Sequence, residues 1–317
     1  MPLIGTSELE IFPLALGANT FGWTSDAAES HEVLDAFTAD GGNLIDTADG
    51  YSAWFPGNSG GESEAIIGSW LASRDARDDV VIASKVGTHP EFGGLAAPNV
   101  AAAADASLGR LGIDTIDLYY AHFDDPETPL ADTVGAFGRL VAAGKVRHVG
   151  LSNYSPERVR EWMALSDELG VPRPVALQPR YNLVARQPYE SAYAALAAEF
   201  NLSVMPYSAL ASGFLTGKYR TPEDFSGVAR QQGVEKHFSD AGLGIVDELQ
   251  RIGARHGEEP ATIALAWLRS RPEIVAPIAS ARVVAQLGSL LASARLVLST
   301  EDVRALNEIS APLAELN

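Results

Sequence analysis

The sequence predicts an α/β protein of the (β/α)8-barrel class, the TIM barrel. First, short apolar stretches rich in β-branched residues alternate with segments of helical periodicity, and such alternation gives parallel strands joined by right-handed crossovers. Second, a length of 317 residues with 46% hydrophobic content suits one barrel with a sizeable core. Third, no linker or composition shift divides the chain, so residues 1–317 are predicted to form a single domain.

Eight strands and six helices can be assigned from these patterns. The predicted strands are 14–16, 43–45, 80–83, 116–120, 148–151, 175–177, 202–205 and 274–278. The predicted helices are 30–39, 63–72, 99–111, 130–143, 156–169 and 189–200. Asn99 and Ser155 stand at helix starts and are predicted to be N-caps. A doubly wound sheet is the alternative, but "LALGANTFGW" after the first strand lacks a G-x-G-x-x-G turn.

Three stretches exceed the minimal barrel. Residues 3–12 precede the first strand, and we expect them to form a short N-terminal hairpin that closes the bottom of the barrel. Residues 209–240 follow the seventh strand and are too long for a simple connector, which favours a functional loop. Residues 299–309 predict an extra C-terminal helix that covers the surface.

Composition narrows the classes of function. A formal net charge of -18 disfavours nucleic acid and anionic membranes as partners. The absence of cysteine excludes disulfides, iron–sulfur clusters and cysteine-based zinc sites, and no histidine or carboxylate cluster indicates a metal. With no apolar run of about 18 residues and no secretory start, we expect a cytoplasmic protein. No feature marks a self-complementary surface, so the oligomeric state stays open.

Polar residues follow the predicted strands where a barrel places its catalytic groups. Asp46 comes after the second strand, Lys85 after the third and His122 after the fourth, and Tyr51 lies close enough to Asp46 to fold back over the barrel mouth. A phenol with an ordinary pKa of about 10 needs a nearby cation to act in acid–base chemistry. We expect Lys85 to lower the pKa of Tyr51, Asp46 to keep Lys85 charged, and His122 to donate to the same substrate oxygen.

Several long motifs resemble those of one known family. They are "LIDTADGY", "ASKVG", "DLYYAHFDD", "GKVRHVGLSNY", "QPRYNL" and "PYSALASGFLTGKY". Over nearly its whole length the chain resembles the aldo-keto reductases. The resemblance implies that Asp46, Tyr51, Lys85 and His122 form a catalytic tetrad, with Tyr51 as general acid in the reduction of an aldehyde or ketone.

The resemblance also implies a nicotinamide cofactor. Its carboxamide would be held by Ser152, Asn153 and Gln178, and Tyr207 would stack on the ring, as a flat ring requires a flat partner. The long loop would lie over the pyrophosphate, with contacts from Ser208, Leu210, Gly213 and Lys218. The segment "GFLTGKY" is not a P-loop, because its glycine spacing is one residue short and Tyr219 replaces the magnesium-binding hydroxyl.

The adenosine end matches the family less closely. Ser280, Arg282 and Gln286 occupy matching positions, whereas Ala285 and Leu290 replace the family's frequent Glu and Asn. Arg282 favours NADPH/NADP+ through a charge-assisted phosphate contact, and the two departures leave NADH open.

Aromatic residues near the strand ends are candidates for the substrate pocket. They are Trp23, Trp54, Phe55 and Phe123, and such walls suit a small-molecule carbonyl, an alcohol or the apolar face of a sugar. Two other functions stay open. One is an NAD(P)-dependent sugar or alcohol dehydrogenase working in the oxidative direction, and the other is a cofactor-binding regulatory subunit similar to channel β-subunits.

Overall fold

The barrel consists of eight parallel strands in a computed structural model that describes residues 1–74 and 77–314. The strands are β1 (Ala15–Gly17), β2 (Leu44–Asp46), β3 (Val81–Val86), β4 (Ile116–Ala121), β5 (Val146–Ser152), β6 (Ala176–Gln178), β7 (Ser203–Val204) and β8 (Ile278–Ala279). Neighbours along the chain are neighbours in the sheet, and β8 returns to β1. The ring closes where Ile278 N donates to Pro206 O over 3.0 Å. The predicted fold class is confirmed.

Helices surround the strands. The α-helices are α1 (Ala27–Ala39), α2 (Glu62–Ala72), α3 (Ala97–Leu111), α4 (Leu130–Ala142), α5 (Pro156–Leu169), α6 (Ala194–Phe200), α7 (Gln231–Glu235), α8 (Asp240–His256), α9 (Pro260–Arg269), α10 (Leu287–Ala292) and α11 (Thr300–Ala314). A π-turn at Tyr189–Tyr193 precedes α6, and short 3-10 turns occur at Ala211–Thr216, Pro222–Phe225 and Val284–Gln286. The predicted 189–200 helix is therefore two pieces.

One of the two predicted helix caps is wrong. Ser155 caps α5 by accepting a hydrogen bond from Arg158 N. Asn99 instead lies inside the first turn of α3, whose N-cap is Ala96, and its side chain donates to the carbonyls of Phe92 and Gly94. Pro98 explains the earlier start, because its fixed φ angle suits the first helical turn.

The N-terminal hairpin covers the bottom of the barrel. Leu3 and Glu10 form an antiparallel bridge, and Ile4 and Ile11 are fully buried beneath the strands. Gly5 N donates to Ser203 Oγ at the start of β7 over 2.7 Å. At the other end of the chain, α11 extends five residues beyond the predicted 299–309 helix, ending at Ala314 rather than Ile309, and packs against α8.

Candidate active site

Strand periodicity directs the candidate residues to the mouth of the barrel. Leu44, Ala83, Tyr120 and Ala176 belong to the apolar cluster inside the barrel. Side chains two positions apart share a face of a strand or of its extended continuation. The residues two positions after these four are, in the same order, Asp46, Lys85, His122 and Gln178. Polar residues therefore replace the apolar filling at the carboxyl ends of the strands, where barrel enzymes hold their active sites. Asp46 and Lys85 lie within β2 and β3 rather than after these strands.

Lys85 is completely buried, and all three of its ammonium donors have partners. Its Nζ lies 2.6 Å from Asp46 Oδ1, 2.7 Å from Thr47 O and 2.8 Å from Tyr51 Oη. Burial acts to lower the pKa of Lys85, but Asp46 and Tyr51 outweigh it and the pKa is raised. Lys85 therefore remains an ammonium ion in the barrel interior.

The second oxygen of Asp46 is also occupied. Gln178 Nε2 donates to Asp46 Oδ2 over 2.7 Å, from a strand on another side of the barrel. The sequence motifs gave Gln178 only a role toward the cofactor. In the structure it also holds the carboxylate that balances Lys85.

Two opposing effects act on the pKa of Tyr51. Burial raises the pKa of Tyr51, and Lys85 opposes this rise without reversing it. Lys85 thus acts on the pKa of Tyr51 in the predicted direction, but burial outweighs it and the pKa is raised overall. The phenol keeps its proton at neutral pH, and because its oxygen already accepts from Lys85, that proton remains to be donated elsewhere.

His122 stands beside Tyr51 as a neutral imidazole. The two ring centroids are 6.0 Å apart. Burial, followed by the charge of Lys85, lowers the pKa of His122 well below its ordinary value. The Nδ1 atom of His122 lies 3.2 Å from Thr88 Oγ1, so Nε2 is the nitrogen left for a substrate.

A cleft of about 1000 Å³ opens from these residues. Asp46, Tyr51 and His122 line its floor, whereas Lys85 lies buried behind them. The cleft also brings together every residue predicted to contact the cofactor, namely Ser152, Asn153, Gln178, Tyr207, Ser208, Leu210, Gly213, Lys218, Ser280, Arg282 and Gln286. Ala285 and Leu290, the two departures from the family pattern, are on the same wall.

Hydrogen bonds fix the polar edge of the cleft after β5 and β6. Asn153 has a left-handed backbone with φ of 57°. Its Nδ2 donates to Ser152 Oγ and to the carbonyl of His122, while its Oδ1 accepts from Tyr207 Oη over 2.8 Å. Ser152 Oγ donates in turn to the carbonyl of Gln178. The donors and acceptors of this edge are therefore held in place beside the Tyr207 ring, as recognition of an amide requires.

The connection between β7 and α8 crosses the cleft. Ser208, Ala211 and Ser212 have positive φ angles that are uncommon outside glycine, and such turns direct backbone N–H groups toward a common anion. Further along, Arg230 Nη2 donates to Asn19 Oδ1 over 3.0 Å, and its guanidinium lies over the Trp23 ring. Sequence reasoning missed Arg230 and Asn19, because no pattern marks where a long loop meets the β1 side.

Cations line the outer part of this cleft. Lys218, Arg230 and Arg282 form no ion pair with a carboxylate among the residues that the structure describes, and Glu259 lies on the same wall. Burial, followed by the nearby charge of Arg282, lowers the pKa of Arg230. In a chain of net charge -18, three cations that no described carboxylate neutralises fit an anionic ligand. The phosphates of a nicotinamide dinucleotide meet this requirement.

The aromatic candidates for substrate binding form part of the rim. Phe123 lines the cleft, stacks on His122 at 5.0 Å between centroids and is 49% exposed. Trp54 is 52% exposed and lies 6.3 Å from Tyr51 and 5.5 Å from Trp23, centroid to centroid. Among the described residues, Trp23, Trp54 and Phe55 stand outside the cleft wall itself.

Comparison with known proteins settles the family. Residues 13–311 match the model of the aldo/keto reductase family. The chain belongs to this family. The aldo/keto reductase is thus an NAD(P)-dependent oxidoreductase, and the family generally uses NADP(H).

Relatives of this aldo/keto reductase carry different names. Protein tas of Escherichia coli (strain K12) is 33% identical, with 94% of each chain covered. A probable voltage-gated potassium channel subunit beta of Oryza sativa subsp. japonica is 32% identical over 88% of this chain and 86% of its own. The NADP(+) aldo-keto reductase yakc of Schizosaccharomyces pombe is 32% identical over 78% of this chain and 74% of its own.

Neither a membrane-spanning helix nor a cluster of metal ligands occurs among the described residues. Within residues 1–74 and 77–314, no helix is both long and apolar enough to cross a membrane. In the same residues, no three histidine or carboxylate side chains are grouped as metal ligands.

Proposed function

We propose that the protein uses NADPH to reduce the carbonyl group of an aldehyde or ketone, with Tyr51 as the general acid. The observation that carries the proposal is the contact of 2.8 Å between Lys85 Nζ and Tyr51 Oη. It anchors the phenol oxygen beside a fully buried cation and leaves the phenol proton for a substrate in the cleft that Tyr51 lines.

In this proposal the protein residues handle charge and protons. When bound, the reduced nicotinamide supplies the hydride that adds to the carbonyl carbon. Tyr51 transfers its proton to the carbonyl oxygen and becomes a phenolate, which the adjacent Lys85 ammonium stabilises. His122, held neutral, donates from Nε2 to the same oxygen as negative charge develops there. Asp46 keeps the pair electrically balanced.

The cofactor would be held along the whole cleft. Ser152, Asn153 and Gln178 would bind the carboxamide, and Tyr207 would stack on the nicotinamide. Ser208, Leu210 and Gly213 would offer backbone N–H groups to the pyrophosphate, aided by Lys218 and Arg230. We assign Ser280, Arg282 and Gln286 to the adenosine end, with Arg282 at the 2′-phosphate.

The exposed rim would select the substrate. Trp54 and Phe123 present apolar surface on two sides of Tyr51 and His122. A carbonyl compound with an aromatic or aliphatic flank could place its oxygen at Tyr51 and its apolar part against these rings. We therefore expect apolar aldehydes and ketones to react better than small polar ones.

A regulatory role is the second candidate. The name of the rice relative, a probable channel subunit beta, favours it. Against it stands the complete set of Asp46, Tyr51, Lys85 and His122, because a protein that only senses a cofactor has no need for a positioned acid.

Initial rates would separate these functions. We would measure oxidation of NADPH and NADH against a panel of aldehydes and ketones, and reduction of NADP+ and NAD+ against alcohols and sugars. The proposal predicts the highest kcat/KM for carbonyl reduction with NADPH. Faster oxidation of alcohols would support the dehydrogenase function. Tight cofactor binding without turnover would support the regulatory function.

A further inference from the structure

Asp49 is a fully buried carboxyl group behind the proposed active site. It lies in the turn between Asp46 and Tyr51, and its backbone N–H donates to the carbonyl of Lys85 over 3.1 Å. Gly87 N donates to its Oδ2 over 3.3 Å. Its other oxygen, Oδ1, lies 3.4 Å from the hydroxyl of Thr88.

The charges around Asp49 oppose its ionisation. Glu64 on α2 faces it, and the nearby cation, Arg110 on α3, is paired with Glu64 rather than with Asp49. Tyr119 on β4 faces it from another side. In the part of the chain that the structure describes, Asp49 has no ion-pair partner. Burial, followed by the charge of Glu64, raises the pKa of Asp49 to about 7.

Thr88 joins this carboxyl group to the active site. Its single hydroxyl lies 3.4 Å from Asp49 Oδ1 and 3.2 Å from His122 Nδ1. Gly50 permits the close approach, since a Cβ atom there would stand 2.5 Å from the hydroxyl oxygen of Thr88. A hydroxyl group has one proton to donate, so donation toward one neighbour requires it to accept from the other.

We propose that Asp49 and Thr88 are positioning residues that set the tautomer of His122. When Asp49 is protonated, it donates to Thr88, Thr88 donates to His122 Nδ1, and the imidazole proton stays on Nε2, facing the substrate. When Asp49 is ionised, both hydrogen bonds reverse, and the imidazole proton moves to Nδ1. The inference rests on the proposed function in one respect, that His122 Nε2 donates to the substrate oxygen.

The relay makes carbonyl reduction depend on pH. His122 stays neutral, because burial and then Lys85 lower its pKa, so the change is one of tautomer rather than of charge. Tyr51 and Lys85 also face His122, but the pKa of each is raised, which moves their titration above this range. The reductive kcat/KM should therefore fall as Asp49 ionises, by about tenfold per pH unit above the midpoint.

The direct test is ¹⁵N NMR of histidine-labelled protein between about pH 5.5 and 9, with the His122 signals assigned by a His122→Gln variant. We expect His122 to carry its proton on Nε2 at low pH and on Nδ1 at high pH, with a midpoint near that of Asp49. In Asp49→Asn the carboxamide copies the protonated acid, so the Nε2 tautomer should persist throughout. Thr88→Val should abolish the transition because valine lacks the hydroxyl group, and Thr88→Ser should retain the transition because serine keeps it.

Rates of the same variants complete the test. The pH dependence of reductive kcat/KM should vanish in Asp49→Asn and persist in Thr88→Ser. A wild-type His122 tautomer that does not change with pH, or a transition that survives in Asp49→Asn, would overturn the proposal. The NMR readout does not require turnover, so failure of the relay and failure of the proposed reaction can be told apart.

Discussion

Gln178 on β6 reaches across the barrel and donates from Nε2 to Asp46 Oδ2 on β2, over 2.7 Å. Lys85 takes the other carboxylate oxygen. Asp46 is therefore held between a cation and an amide, and a residue expected to bind the cofactor also supports the proposed acid.

Replacing Gln178 by Leu should weaken both functions. A buried carboxylate oxygen would lose its partner, which costs about 1–3 kcal/mol in the free energy of unfolding. The Kd for NADPH should rise as well, because the side chain lines the cleft. Urea denaturation and fluorescence titration would measure the two effects. The exposed Gln250→Leu is the control, and equal stability of the two variants would contradict the assignment.

Lys85→Met should be strongly destabilising. It leaves Asp46 charged and unpaired in the barrel interior, for which about 3–5 kcal/mol is expected. The double variant Lys85→Met with Asp46→Asn should regain most of this stability without regaining activity. Lys145→Met, which breaks an exposed pair with Asp105, should change stability by less than about 1 kcal/mol. Additive effects in the Lys85–Asp46 cycle would show that the two groups are not coupled.

Arg282→Gln should change cofactor preference. Loss of a charge-assisted phosphate contact should raise the Kd for NADPH about tenfold or more while leaving NADH nearly unchanged. Fluorescence titration with both cofactors measures this directly. Arg295→Gln, which removes an exposed arginine paired with Asp40, is the control. Equal weakening of both cofactors by Arg282→Gln would exclude a 2′-phosphate contact.

Asp49 should make the fold less stable as pH rises. Its pKa is about 7 when folded, above the value of about 4 for an unfolded chain, so between these values the folded state binds more protons. Stability contributed by the neutral group is therefore lost between about pH 4 and 7, on the order of 4 kcal/mol. Asp49→Asn should flatten this slope in chemical denaturation, and an unchanged slope would mean that another group causes it.

Much of the barrel could be predicted because each strand and helix is marked by a local pattern of residues, and the alternation of the two predicts the topology. Asp46, Lys85 and His122 stand at strand ends, and parallel strands bring such ends together whatever the loops do. The cap at Asn99 failed because Pro98 lets the helix begin earlier. The spacing of apolar residues does not indicate that the predicted 189–200 helix divides into a π-turn and α6.

Features that depend on loop paths or on buried environments could not be predicted from the sequence. Arg230 acquires its place only when a long connection folds back onto Asn19. The direction in which the pKa of Tyr51 shifts depends on the balance between burial and the charge of Lys85, and a sequence does not give this balance. Asp49 is an ordinary turn residue in the sequence, and only the structure shows that it lies close to Thr88 and has no ion-pair partner among the described residues.

Tyr51→Phe tests the central claim most directly. The substitution removes the proposed acid and keeps the ring beside Lys85, so kcat/KM for carbonyl reduction should fall by about 10²–10⁴-fold. The Kd for NADPH should stay unchanged, because the contacts along the cleft remain. Carbonyl reduction at the wild-type rate by a folded, cofactor-binding Tyr51→Phe protein would contradict the account.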